Sequence, residues 1–234
     1  MRALMNNKGF TLVEMLLAVL FGIIVMAGIG IAVQSVSRSG SSLERKVVAQ
    51  QDVRAALELM AMEIGMASYN PTFAASTMWL NPNGCAAGTA NNKGIQIATA
   101  NSIAIEMDSN TEDGDVSDNN EIITYTYDTA NEYITRKAGC NAGAVAQPFL
   151  GATSAPRGVK VINNTVASPA TIPVFRYYDA SGAETASIPD IRRIEITLVV
   201  EIDESGFTYT TTGTTKRRLV YSTSVLPRNH PINP

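Results

Sequence analysis

Carboxylates are the side chains most densely placed for chemistry in this sequence of 234 residues. Between residues 94 and 135 there is no Lys or Arg, and acids crowd the middle of that stretch around Gly114. Calcium prefers such oxygen-rich loops with a glycine at the turn. The spacing differs by one residue from the EF-hand pattern, and no flanking helices are predicted. The stretch therefore indicates either a solvated acidic loop or a calcium site whose candidate ligands are Asp108, Asn110, Glu112, Asp113, Asp115 and Asp118.

The two cysteines form the second candidate pair. Cys85 and Cys140 occur in Asn-Gly-Cys and Ala-Gly-Cys, with no histidine or further cysteine beside them, which makes a poor zinc site. In an oxidising compartment the pair predicts a disulfide, with two free thiols as the alternative. Closing so long a loop would stabilise the fold by about 4 kcal/mol at most.

Composition excludes several function classes. The sequence contains one histidine, His230, which argues against a His-dependent triad and a multi-His metal site. No nucleophile–base pair is recognisable in the sequence either. The net charge of -3 and the pI near 5.3 argue against a nucleic-acid partner. We therefore expect a protein that is not an enzyme, has no small-molecule substrate, and has no cofactor apart from the calcium candidate.

One apolar segment dominates the N-terminal part of the chain. Residues Phe10 to Val33 carry a single charge, Glu14, and as a helix they would be about 36 Å long, enough to cross a bilayer. Arg2 and Lys8 precede the segment and would hold the N-terminus in the cytoplasm, with everything after Val33 outside the inner membrane.

The acid inside this segment requires an explanation. A carboxylate deep in a bilayer costs about 2.5–3.5 kcal/mol even on insertion scales, and such residues usually have a partner. Glu14 lies one helical turn from Phe10, so it compensates the helix dipole, pairs with an amine, or does both.

The residues around this acid resemble a known signature. Lys8-Gly9-Phe10-Thr11-Leu12-Val13-Glu14 resembles the type IV prepilin motif K-G-F-T-L-x-E. The resemblance implies that a prepilin peptidase cuts between Gly9 and Phe10 and methylates the new N-terminal Phe10. It also implies that Glu14 forms an intersubunit salt bridge that sets the register of subunits during assembly.

After Val33 the composition becomes amphipathic. Polar residues alternate with apolar residues at helical spacing, and Asn70-Pro71 ends the pattern. We predict one helix from about Phe10 to Ala67, bare at its membrane end and buried at the other along Leu43, Val47, Val48, Val53, Leu57, Met60 and Ile64.

Beyond residue 79 the apolar period changes to two, which predicts half-buried antiparallel strands at 95–97, 103–107, 123–127, 194–202 and 219–225. The expected fold is α+β, with the long helix laid across a meandering antiparallel sheet. We divide the chain into a cleaved leader (1–9), a transmembrane half-helix (10–33), an amphipathic half-helix (34–69) and a β-rich domain outside the membrane (70–234).

Three further stretches resemble PilW-type minor pilins. Residues 63–71, 174–182 and 224–229 are similar to that family's helix end, to one of its strands with the following turn, and to its closing segment. J-type minor pseudopilins of type II secretion share much of the pattern and are the alternative, and an adhesin or ligand-binding module on a pilin stalk is a third.

The resemblance implies a pilin-like fold and a structural subunit that initiates a type IV pilus and is incorporated into it. Its partners would be other minor and major pilins, the prepilin peptidase and the inner membrane. Its location would be the inner membrane before assembly, and the periplasm and the pilus tip afterwards.

Overall fold

A computed structural model describes residues 10–110, 112–151, 159–165, 171–204 and 215–230. In these ranges one long helix, α1 (Leu12–Gly65), precedes all the strands. The strands are β1 (Ile95–Ala98), β2 (Ser102–Glu106), β3 (Ile122–Asp128), β4 (Tyr133–Ala138), β5 (Gln147–Leu150), β6 (Val159–Val161), β7 (Phe175–Tyr178), β8 (Arg193–Glu204) and β9 (Thr215–Val225). Short 3₁₀ helices occupy Ser76–Met78, Ala90–Asn92 and Ile188–Asp190. The layout is the predicted α+β arrangement, with the helix packed on antiparallel strands.

The single helix is confirmed within two residues at each end. Thr11 is its N-cap, and at its C-terminus the amide of Met66 donates to the carbonyls of Glu63 and Ile64. Two residues later Ser68 has a φ of +64°, a left-handed conformation that turns the chain away from the helix axis. The predicted terminus at Ala67 lies in this turn.

The two halves of α1 differ in burial. Residues Leu12–Ser37 have a mean hydropathy of 2.8 and none of their most apolar window is buried, so this segment is long and apolar enough to span a membrane. The buried stripe begins only at Ala49 and continues through Val53, Ala56, Leu57, Met60 and Ile64. The prediction was wrong for Leu43 and Val47, which are 62% and 45% exposed. They precede the point at which the helix becomes covered, and periodicity alone does not show where a covering sheet ends.

The strands form two antiparallel sheets, whereas the sequence predicted one meander. In the first sheet, β1 to β5 are neighbours in chain order. In the second, β8 pairs along its length with β9, and β7 and β6 pair with opposite ends of β8. Alternation of apolar residues is the same for either arrangement, because it reports which face is buried and not which strand is the neighbour.

Four strands had weak signals in the sequence. β5 and β6 were not predicted, β4 was indicated only by Tyr133 in a strand pattern, and β7 was indicated by Tyr177, Tyr178 and the resemblance. In β4 only Ile134 is fully buried, and the remaining positions are half-buried, so the strand shows no clean alternation. β5 and β6 are four and three residues long, which is too short to establish a period.

One main core joins the helix and the two sheets. The buried stripe of α1 packs with Ile103, Ile105 and Tyr125 of the first sheet and with Phe175 and Ile196 of the second. A smaller cluster lies on the opposite face of the first sheet and contains Met78, Trp79, Val116, Ile122 and Cys140. The acidic loop between β2 and β3 therefore follows a strand that is covered on both faces.

Candidate functional site

The start of α1 is the first candidate site. Glu14 closes a capping box: its Oε2 accepts from the Thr11 amide at 2.9 Å and from the Thr11 hydroxyl at 2.9 Å. In return, the Glu14 amide donates to Thr11 Oγ1 at 3.3 Å. The capping box provides hydrogen-bond acceptors for the amides of Thr11 and Glu14, which would otherwise have no partner within the helix. The local compensation predicted for Glu14 is therefore present within the chain, and the intersubunit pairing stays a prediction.

The surface around this capping box is apolar and uncovered. Phe10 is 85% exposed, and large apolar residues as far as Val36 are more than two-fifths exposed. Exposed apolar surface of this extent marks a region that contacts lipid or another protein. Gly9 lies outside the described residues, so cleavage between Gly9 and Phe10 and methylation of Phe10 stay predictions.

The end of α1 is fixed to the first sheet by a polar triad. Arg136 of β4 donates from Nη2 to Glu63 Oε1 at 2.7 Å and from Nε to Oε2 at 3.2 Å. The hydroxyl of Tyr125 in β3 also donates to Glu63 Oε2. Burial and the Glu63 carboxylate raise the pKa of Tyr125, while Arg136 opposes that effect, so the hydroxyl remains a donor. The triad therefore fixes the position along α1 at which the first sheet contacts the helix.

A second polar cluster holds the C-terminal segment. His230 is buried, its Nδ1 lies 3.0 Å from Ser68 Oγ, and its Nε2 lies 2.9 Å from the Ile188 carbonyl. Because a carbonyl only accepts, Nε2 carries the proton and Nδ1 accepts from Ser68. Ser68 Oγ also accepts from the Gly94 amide at 3.0 Å. The serine and histidine are both fully buried, so the pair positions the chain and does not present a nucleophile to solvent.

The predicted disulfide is confirmed. Cys85 and Cys140 are bonded, with their Cα atoms 5.0 Å apart. The amide of Gly84 donates to the Cys140 carbonyl at 2.9 Å, so the backbone is tied at the same place. The bond holds the segment that carries Trp79 against the end of β4.

The acidic loop connects β2 to β3 as predicted, but it is not uniformly solvated. Asp108 and Glu121 are fully buried, whereas Glu112, Asp113 and Asp115 are exposed. Glu121 organises the loop, because its carboxylate accepts from the backbone amides of Ser109, Asn110 and Asp118.

The other predicted calcium ligands make local contacts. Asp113 and Asp115 each accept a backbone amide two residues further on, as Asx turns do. Glu112 Oε1 accepts from the Tyr69 hydroxyl at 3.3 Å. Among the described residues, no three Asp, Glu, His or Cys side chains are grouped as a metal centre.

Two buried carboxylate oxygens in this region have no hydrogen-bond partner among the residues that the structure describes. They are Asp108 Oδ1 and Glu106 Oε1. The second oxygen of each accepts a single backbone amide, from Gly114 for Asp108 and from Leu80 for Glu106, both at 3.0 Å. Burial raises the pKa of Glu106 to about 8, so this carboxyl is mostly protonated at neutral pH.

Asp108 differs from Glu106 because other acids surround it. Burial raises its pKa, the Gly114 amide opposes that effect, and the charges of Asp113, Glu112 and Asp115 raise it further. The sequence showed the crowding of acids but not which carboxylate was buried, because burial of Asp108 depends on the fold of the segment after α1. Glu63, Ser68 and His230 were missed, since the partner side chains that they contact are more than sixty residues away in the chain.

No family model matches the chain, and no curated protein matches it. Among solved structures, the chain is similar to a type IV-like pilin from Thermus thermophilus, with 10% sequence identity and a TM-score of 0.43. The alignment covers 77% of this chain and 97% of that one.

Proposed function

We propose that this protein is a minor pilin, a non-enzymatic structural subunit that helps to initiate a type IV pilus and is incorporated into it. The observation that carries the proposal is the division of α1. The half that ends near Ser37 is apolar and bare, and the half that begins at Ala49 is packed against both sheets. The first half of such a helix suits a lipid or protein environment that excludes water, and the second half belongs to the core of a folded domain.

The bare half would be stored in the inner membrane and then transferred into a bundle of like helices. Both environments remove its apolar surface from water, so the transfer costs little hydrophobic free energy. The sheet domain, held to α1 by the Glu63–Arg136 pair, would remain outside the membrane and contact neighbouring subunits. The partners are other minor and major pilins, and the prepilin peptidase acts first, between Gly9 and Phe10.

In this proposal Glu14 has two successive partners. Within the chain it is held by the amide and hydroxyl of Thr11, which lowers the cost of placing its charge in lipid. After cleavage, the amine of Phe10 in an adjoining subunit would be a stronger partner, because it carries a full positive charge. Exchange of one partner for the other would fix the register between subunits.

The experiment compares Glu14→Val with Glu58→Gln, a change to an exposed acid on the packed half of the same helix. We expect both variants to reach the inner membrane and to be cleaved. Only Glu14→Val should be depleted, by about tenfold or more, in sheared filaments quantified by mass spectrometry. Equal incorporation of the two variants would contradict the proposal, and secretion of a substrate protein without filaments would favour the pseudopilin alternative.

A further inference from the structure

We propose that the loop between β2 and β3 binds one calcium ion, and that the buried carboxylate of Asp108 is its anchoring ligand. Calcium binding goes beyond the structural role proposed above and does not depend on it. The proposal rests on the partners of Asp108, on the placement of the loop around it, and on the chemistry of the surrounding oxygens.

The first step is the unsatisfied oxygen. Asp108 is fully buried, and its Oδ1 has no hydrogen-bond partner, although its Oδ2 accepts from the Gly114 amide. Leaving a buried acceptor unpaired costs about 1–3 kcal/mol, and more for a charged group. A cation at Oδ1 would remove that cost, whereas a neutral donor from the protein is not supplied by the described residues.

The second step is the negative charge of the residues around Asp108. Glu112, Asp113 and Asp115 lie on the same loop as Asp108, and all three are exposed acids. No Lys or Arg occurs between residues 94 and 135 to balance them. Like charges gathered around a buried carboxylate are unfavourable unless a cation is present, and a divalent cation neutralises two of them.

The third step is that the backbone is already folded around the oxygen. The amide of Asp108 is tied to the Tyr69 carbonyl at 2.9 Å, and the amide of Gly114 returns to its side chain. Gly114 has a φ of +89°, which permits the sharp turn between these two contacts. Glu121 holds the other end of the loop through three backbone amides. The loop is therefore closed by contacts that do not use Asp108 Oδ1.

Among the described residues no three carboxylates converge, so one or two of the exposed acids Glu112, Asp113 and Asp115 would move towards Asp108 when calcium binds. Repulsion between these charges opposes that approach until a cation neutralises it. Calcium takes six to eight oxygens and accepts carbonyls and waters among them, so one buried carboxylate and one or two exposed ones are sufficient. Magnesium requires a smaller and more regular shell, so the same loop favours calcium.

The test is calorimetric titration of calcium chloride into the full chain in detergent micelles, after treatment with a chelator. We expect one saturable site with a Kd of about 10⁻⁴–10⁻³ M, the range of extracellular calcium modules, and a rise in Tm that the chelator reverses. Absence of saturable binding at 10-fold higher calcium concentrations than this range, or equal binding of magnesium, would overturn the proposal.

Two variants locate the site. Asp108→Asn, which keeps the size of the side chain, should weaken calcium binding at least tenfold. Asp128→Asn is the control, because Asp128 ends β3 and its carboxylate accepts from the Ala130 and Asn131 amides, and it should stay within twofold of the parent. If Asp108→Asn loses its circular dichroism spectrum, the combined change Glu112→Gln, Asp113→Asn and Asp115→Asn replaces it, because these exposed acids supply the other carboxylates and lie outside the core. Unchanged affinity in the folded variant would overturn the assignment.

Discussion

Glu63 of α1 and Arg136 of β4 are joined by two charge-assisted hydrogen bonds across the boundary between helix and sheet. The Nη2–Oε1 distance is 2.7 Å, and the side chains are only 11% and 22% exposed for Glu63 and Arg136 respectively. A fork-shaped guanidinium holds a carboxylate in one orientation, and the Tyr125 hydroxyl adds a third contact. The pair therefore sets the position at which the packed half of the helix meets the first sheet.

Removing one partner of this pair should be strongly destabilising. Arg136→Ala leaves the Glu63 carboxylate mostly buried, with Tyr125 as its remaining side-chain donor among the described residues, which should lower the free energy of unfolding by about 3 kcal/mol. The matched control is Lys160→Ala, because Lys160 pairs with Glu132 at 3.1 Å and the two side chains are 43% and 25% exposed. The control should lose less than about 1 kcal/mol in urea unfolding.

A double substitution shows how much of the loss comes from leaving a buried charge unpaired. Glu63→Gln combined with Arg136→Met removes both charges while keeping side chains of similar length. It should recover most of the stability that Arg136→Ala loses, because no unpaired charge remains in the protein. Equal losses for the single variants Arg136→Ala and Lys160→Ala would show that the Glu63 pair is not held as the structure describes.

The buried carboxyl of Glu106 predicts a pH dependence. Its pKa is raised from 4.5 to about 8 by burial, so between these values the folded chain holds a proton that the unfolded chain releases. The contribution of Glu106 to stability is thus complete below pH 4.5 and is lost as the pH rises through 8. The slope from this group reaches at most about 1.4 kcal/mol per pH unit.

Glu106→Gln tests this sign. An amide keeps an oxygen for the Leu80 amide and carries no charge at any of these pH values. The variant should be more stable than the parent at pH 8, and the difference should shrink towards pH 5, as measured by urea unfolding. A difference that is constant over this interval would mean that Glu106 is ionised in the folded chain.

Among the glycines that the structure describes, Gly94 has the closest neighbours to an added side chain. A Cβ atom there would lie 2.4 Å from the amide nitrogen of Ser68 and 2.6 Å from the Glu106 carbonyl oxygen. Both neighbours are backbone atoms that cannot rotate away, so Gly94→Ala should move Ser68 and weaken its contact with His230. We expect a loss of several kcal/mol, of the size seen for severe core disruptions.

Gly40→Ala is the control for that substitution. Gly40 lies in α1, and an added Cβ meets nothing within 4 Å, so alanine should stabilise the helix by about 1 kcal/mol. Thermal unfolding of the two variants should shift in opposite directions. A Gly94→Ala variant with the parent's Tm would contradict the close approach of Gly94 and Ser68.

The sequence was most informative where a signal is local. The bare half of α1, the disulfide and the alternation in β8 each depend on residue type at short spacing, and all three are confirmed. The split into two sheets was not predictable, because Ile194 and Ile123 show the same alternation although they belong to different sheets. Pairing between strands depends on contacts that are distant in the chain.

At the polar sites too, the local features were predictable from the sequence and the contacts between distant residues were not. Crowding of acids near Gly114 was visible, but the burial of Asp108 arises from the segment around Tyr69, which the loop contacts only after folding. The sole histidine was noted for the chemistry it excludes, and its partner Ser68 is 162 residues away. Neither residue type nor spacing carries information about such a pair.

The N-terminus of the native chain tests the account most directly, because every functional step depends on a mature chain that begins at Phe10, just before the bare half of α1. The measurement is the intact mass and N-terminal sequence of the protein purified from its own cells. We predict a chain that begins at Phe10 with one added methyl group on its amine. A native chain that begins at Met1, untrimmed and unmethylated, would contradict the proposal and leave a simple membrane-tethered domain.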